Sequence, residues 1–151
     1  MVTVQIDSRE KPRAITRILA EFQKQGVKYY TSKLYVGDYM NLDNPRLVID
    51  RKQNLNEVAL NVCQEHKRFV DELTRARDAG IHLIILVEHG RSIETLEDVI
   101  WWDNPRLQVS PKAMTGEKLY KIMCTISEKY GCEWAFCQKA NTGKKILELL
   151  Q

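Results

Sequence analysis

Gly37-Asp38 is followed twelve residues later by an Asp50-x-Lys52 triplet, which closes the apolar run Leu47-Val48-Ile49. Side chains alternate along a strand, so Asp50 and Lys52 share one face while Arg51 points to the other. A short strand pattern, Asn41-Leu42-Asp43, and the turn residues Asn44-Pro45 lie between the two motifs. Two strands joined by such a turn bring Asp38 and Asp50 to one end of a sheet. Two carboxylates and a lysine on one face suit a hard divalent cation. Mg²⁺ binds through one or two carboxylates, keeps several waters and takes its remaining contacts from a phosphate. The matching chemistry is metal-assisted phosphodiester hydrolysis. A lone Asp-x-Lys triplet is more often a charged strand exit than a catalytic site, so its surroundings have to decide.

Those surroundings contain a second acidic strand end. Thr3 to Glu10 alternates as a strand and closes on Asp7 and Glu10, before Lys11-Pro12 and a helical pattern through Ile15, Ile18, Leu19 and Phe22. Acidic residues leaving a strand end lie where a mixed sheet places its active site. Asp7, Glu10, Asp38 and Asp50 are the expected ligands of one or two Mg²⁺ or Mn²⁺ ions, with Lys52 beside the attacking water or the phosphate. Cations cluster nearby: Arg9, Lys11 and Arg13 follow the first acidic pair, and Lys67-Arg68, Arg75 and Arg77 fall on a later helix. Beside an acidic centre, Arg9, Lys11, Lys67 and Arg68 read as a rim that attracts phosphates. A solvated helix face is the plainer alternative for them.

Asp7-x-Arg9-Glu10, Gly37-Asp38-Tyr39 and Asp50-Arg51-Lys52 together resemble the nuclease domain of the XPF-type structure-specific endonucleases, a branch of the PD-(D/E)xK superfamily with the signature G-D-x(n)-E-R-K-x-x-x-D. The likeness continues through His66-Lys67-Arg68-Phe69, the apolar strand Ile84 to Val87 and the last helix. Two positions depart from the signature. Asp50 stands for the usual Glu, and the final acidic position falls near Asn56-Glu57, so that Glu57 substitutes or the role is lost. The resemblance implies a restriction-endonuclease-like core, divalent-metal dependence, and cutting of branched DNA such as flaps, forks and junctions. It implies a catalytic or substrate-holding role for Arg51, although strand alternation turns that side chain from the metal face. It also implies a possible homodimer formed through residues 117–130 and the last helix. The helix-hairpin-helix module usual in the family does not occur in these residues. The alternative function is a catalytically inactive subunit that binds branched DNA or scaffolds a partner.

A chain of 151 residues, 44% hydrophobic and 28% charged, suits a single globular domain over 1–151. The net charge of +3 and pI of about 8.6 allow nucleic-acid binding without requiring it. Cys63, Cys124, Cys132 and Cys137 have no C-x-x-C spacing or paired His, which argues against zinc. None of the three histidines has a nucleophile partner, which argues against a serine or cysteine hydrolase. With no signal peptide or membrane-length apolar run, the expectation is an intracellular protein, in the cytoplasm of a microbe or a phage-infected host. Neither a membrane nor a nucleotide cofactor is among the expected partners.

The elements that must position these residues alternate in type. Strands are expected near 2–7, 27–34, on either side of Asn44-Pro45, 81–87 and 132–138. Helices are expected near 13–25, 55–78 with a break near Glu65-His66, 93–100, 117–130 and 142–150. The strand at 81–87, the most apolar, is expected at the sheet centre. This is an α/β fold, a mixed central sheet with helices on both faces. Asp-Asn-Pro-Arg-Leu occurs at 43–47 and again at 103–107, which reads as reused turn chemistry. Trp101-Trp102 suits base stacking, a protein interface or simple anchoring of a loop, and takes no assigned role.

Overall fold

The computed structural model describes residues 2–90 and 92–151. Six strands form one sheet: β1 (Val4–Ile6), β2 (Tyr29–Thr31), β3 (Tyr39–Asn41), β4 (Asn44–Lys52), β5 (His82–Glu88) and β6 (Glu133–Cys137). Their spatial order is β2-β1-β3-β4-β5-β6. β1 and β2 are parallel, β3 runs antiparallel to both β1 and β4, and β4, β5 and β6 are mutually parallel. β1, β4, β5 and β6 therefore run the same way, and the segments that follow them all emerge at one edge. The antiparallel β3 begins at that edge, directly after Asp38.

Helices cover both faces, as the sequence indicates. α1 (Thr16–Lys24) and α5 (Thr142–Leu150) lie on one side, where Ile18, Phe22, Ile146 and Leu147 pack with Ile6, Ile49, Ile84 and Leu86. α2 (Leu55–Cys63), α3 (His66–Asp78) and α4 (Gly116–Tyr130) lie on the other, where Val58, Phe69, Leu73 and Met123 meet Val48, Ile85, Val87 and Phe136. The period-2 alternation of β4 thus sends Val48, Asp50 and Lys52 toward α2 and α3, and Ile49 and Arg51 toward α1 and α5. α5 spends its apolar side on α1, whereas α4 leaves Ile122, Ile126 and Tyr130 half-buried.

Local chemistry sets several boundaries. The break between α2 and α3 falls at 64–65, and the backbone turns left-handed at Gly26, Gly80 and Gly131 after three of the helices. Both copies of Asp-Asn-Pro-Arg-Leu use the Asn side chain in the same way: Asn44 Oδ1 accepts from the Arg46 N–H at 3.3 Å, and Asn104 Oδ1 from the Arg106 N–H at 3.0 Å.

Three expectations need correction. The short strand is Tyr39–Asn41, and the turn falls on Leu42-Asp43, because Asn41 Oδ1 binds the Asp43 N–H at 2.8 Å and a register shift follows Met40. β5 is interior but second from the edge, with β3 and β4 at the centre. The segment near 93–100 is a 3₁₀ turn over Glu97–Trp101, preceded by a loop in which Asp98 Oδ2 accepts from the N–H groups of Glu94 and Thr95 at 2.9 and 3.0 Å. Among the described residues no helix is long and apolar enough to cross a membrane.

Candidate active site

The β3–β4 register pairs Tyr39 with Ile49 and so sets Asp38 beside Asp50. The Asp38 N–H donates to the Ile49 carbonyl at 2.8 Å, and the Arg51 N–H donates to Asp38 Oδ2 at 2.7 Å. Gly37 allows this approach. Its φ is +74°, and a Cβ there would lie 2.5 Å from Val48 Cγ1 and 2.9 Å from the Ile49 carbonyl oxygen. Glycine before the aspartate is thus a steric requirement of the site.

A third carboxylate completes this face. Glu72, on α3, receives the Gly37 N–H at 3.4 Å and stands against Asp50. Burial, then the charge of Asp50, pushes the Glu72 pKa from 4.5 up to about 7. Burial, then Asp50 and Glu10, raises Asp38 well above the usual carboxylate range. Lys52 lies 3.1 Å from Asp50 Oδ2 and 5.2 Å from the centre of the Phe69 ring. Burial opposes the charge on Lys52, but attraction to Asp50, and then Glu72, outweighs it and holds the pKa above the ordinary lysine value. Lys52 is therefore a fixed cation across neutral pH.

The Lys52 ammonium is the one cation set against the buried Asp50 Oδ2 among the described residues. A contact between Asp50 and either neighbouring carboxyl needs a proton on one of them. A crowded, buried acidic centre fits a divalent cation, which would replace that proton. No three His, Cys, Asp or Glu side chains among the described residues stand ready as a closed cage. Mg²⁺ asks for less, since one or two carboxylates suffice when water and phosphate complete the shell.

The other face of β4 carries a clamp. The buried Arg51 guanidinium donates to Glu10 through Nε at 3.0 Å and Nη2 at 3.3 Å, and to Glu88 Oε1 through Nη1. Tyr39 Oη donates to Glu10 Oε2 at 2.7 Å, and Thr142 Oγ1 to Glu88 Oε2 at 2.7 Å. Burial and Glu10 push the Tyr39 pKa up, so the phenol stays protonated. These bonds tie together the residues following β1, the ends of β4 and β5, and the start of α5.

A family model of the ERCC4 domain matches residues 6–150. The chain belongs to the ERCC4 domain family. Its fold is similar to XPF from Aeropyrum pernix, at 20% identity and a TM-score of 0.68 over 98% of this chain and 63% of that one. A second structure, XPF from Aeropyrum pernix in complex with DNA, matches at 19% identity and a TM-score of 0.70 over 99% of this chain and 64% of that one. The chain therefore spans somewhat under two thirds of the length of these chains. No curated protein matches it by sequence.

The geometry sorts the residues of this ERCC4 domain. Asp38, Asp50 and Lys52 come together as expected from their spacing. The Asp7 carboxylate has partners of its own: Oδ1 accepts the Leu34 N–H at 2.8 Å and Oδ2 the Arg9 Nε at 2.7 Å. Burial works to raise its pKa, but those bonds outweigh it and hold the carboxyl below the usual range. Glu10 is likewise spent on Arg51 and Tyr39. Glu57, the acid nearest the final signature position, caps α2: its Oε2 accepts the Gln53 N–H at 2.9 Å while Asn54 Oδ1 accepts the Glu57 N–H. The signature position itself is Asn56, whose buried Oδ1 has no partner.

Of the expected phosphate contacts, Arg9 is folded onto Asp7, while Lys67 and Arg68 are exposed and paired with Asp71 and Glu65 at 2.9 and 3.4 Å. Lys11 is exposed just before Pro12. Of the tandem tryptophans, Trp102 packs edge-on to His89, whereas Trp101 is 82% exposed. Sequence reasoning misses Glu72 and Glu88. The signal for Glu72 is a carboxylate on the helix stripe Phe69, Leu73, Ala76, three residues after the first of these; for Glu88 it is an acid closing the most apolar strand.

Proposed function

We propose that this ERCC4 domain is an endonuclease that hydrolyses DNA phosphodiester bonds with Mg²⁺ or Mn²⁺, acting on branched DNA such as flaps and forks. The observation that carries this reading is the buried cluster of three carboxylates, Asp50 set between Asp38 and Glu72, with Lys52 3.1 Å from Asp50 Oδ2. Asp38 and Asp50 would hold the ion, with Glu72 as a third oxygen donor. When bound, such an ion supplies a water of lowered pKa and polarises the scissile phosphate.

The chain's own residues do the rest. Arg51, through its backbone N–H, fixes one oxygen of Asp38 and leaves the other toward Asp50. Lys52, kept protonated, offsets negative charge as it builds on the phosphate, and it is not a general base. Phe69 walls the lysine and limits its solvation. Arg51 acts as a positioning residue through its two carboxylates. Asp7 and Glu10 act in the same way, by holding the chain that follows β1.

Branched substrates are supported by the signature positions shared with XPF-type nucleases, and DNA as a class by the XPF–DNA complex among similar structures. A homodimer would use α4, whose Ile122, Ile126 and Tyr130 are not fully covered. The test is cleavage of end-labelled flap, fork, duplex and single-stranded DNA in Mg²⁺, Mn²⁺ or EDTA. Metal-dependent cutting that favours flap or fork is expected. Tight binding of branched DNA without cutting in either metal would replace the nuclease by an inactive DNA-binding subunit.

A further inference from the structure

We propose that a DNA strand leaves the Asp38–Asp50 centre along a trough over the carboxyl ends of β5 and β6, with its phosphates held by Lys139 and Lys144. The inference rests on the DNA nuclease reading. A hollow of about 410 Å³ opens beside Asn54 and Glu88 and runs to Gln138 and Lys139. A second, of about 430 Å³, shares Gly90 and Gln138 with the first and continues to Lys144. The two adjoin at Gly90 and Gln138. The trough starts where β4 ends, since Lys52 is in register with Val87 and Glu88 follows. From β4 to β6 is two strand spacings, about 10 Å. That distance accommodates roughly three nucleotides at the ~3.4 Å rise of a DNA strand.

Charge along the trough favours an anion. Glu88 at its start is paired with Arg51, a cation it shares with Glu10, and accepts the Thr142 hydroxyl. Lys145 is offset by Glu148 at 3.5 Å. Lys139 and Lys144 are exposed, and neither has an ion-pair partner among the described residues. α5 starts between them and has no acidic residue in its first turn, so the positive end of its dipole adds to the two lysines. Glu94 is the opposing charge, at the outer end of the second hollow. Lys67 and Arg68, by contrast, already have carboxylates beside them.

The experiment is fluorescence anisotropy of labelled fork and single-stranded DNA with the full chain in EDTA, from about 50 to about 200 mM salt. The comparison is parent, Lys139→Ala/Lys144→Ala, and the charge reversal Lys139→Glu/Lys144→Glu. Lys24→Ala/Lys28→Ala, at the opposite sheet edge, is the control. Loss of two phosphate contacts should flatten the slope of log K against log salt by about 1.5, with the reversal weaker still and the control unchanged. Parent-like affinity and slope in both trough variants would overturn the trough and leave the nuclease reading standing. A parent that binds neither DNA and cuts none in Mg²⁺ or Mn²⁺ would overturn both.

Discussion

Replacing Glu72 by glutamine should make the metal-free protein more stable at alkaline pH and less responsive to divalent cations. Raising the Glu72 pKa from 4.5 to about 7 costs its charged form about 3 kcal/mol. The sign follows from proton counting. Between pH 4.5 and about 7 the folded chain holds a proton that the unfolded chain has released. Stability therefore falls as pH rises through this window, and the loss is complete above it. Asp38, also raised, adds a loss of the same sign that the variant retains. A glutamine side chain cannot ionise, so Glu72→Gln should match the parent at about pH 4.5 and exceed it by up to about 3 kcal/mol at about pH 8. For a chain of this size that is roughly 6–12 °C in Tm. Thermal unfolding by circular dichroism in EDTA, in steps from about pH 5 to about pH 8, reads the difference directly. Adding Mg²⁺ or Mn²⁺ should then raise the parent's Tm more than the variant's, because the ion replaces the proton on the parent's carboxylates. A Tm difference that stays constant with pH, or a variant less stable than the parent at the alkaline end, would refute the crowding argument.

Two further substitutions test the supports of the site. Arg51→Met leaves Glu10 and Glu88 buried without their cation, and it should cost about 3–5 kcal/mol in denaturant unfolding; Arg51→Lys should restore little, since one ammonium cannot bridge both carboxylates as the guanidinium fork does. Parent-like stability in Arg51→Met would remove its positioning role. Gly37→Ala adds a Cβ where Val48 and the Ile49 carbonyl already stand, at a left-handed φ, and it should cost about 2–4 kcal/mol while displacing Asp38. Its unfolding midpoint and its metal-induced Tm shift should both drop, and an unchanged shift would separate Gly37 from the site.

How much of this was legible in the sequence depended on distance along the chain. The alternation of Val48, Ile49, Asp50, Arg51 and Lys52 already separates the face of Asp50 and Lys52 from that of Arg51, and the structure keeps that division. What Arg51 does on its own face was not legible, because Glu10 and Glu88 lie 41 and 37 residues away. The same limit hid the partners of Asp7 and Glu10. Composition shows an acid at a strand end, but only the fold shows Arg9 turning back onto one and Arg51 reaching the other. Glu72 was missed because charged helix positions are normally solvated; its place on the Phe69–Leu73–Ala76 stripe was the available sign. The helices with strong apolar stripes, α4 and α5 among them, fell within a residue or two of expectation. The 93–100 segment did not, since eight residues with Asp98 capturing its own preceding N–H groups settle as a loop and a 3₁₀ turn.

The central claim is that one face of β4, with α3, makes a metal-dependent nuclease. Cleavage of end-labelled fork DNA in Mg²⁺ by the parent and by Asp50→Asn, both shown folded by their unfolding transitions, tests it most directly. The account predicts cutting by the parent that EDTA abolishes, and none by Asp50→Asn despite a Tm in EDTA close to the parent's. Equal cutting by the folded Asp50→Asn protein would contradict it.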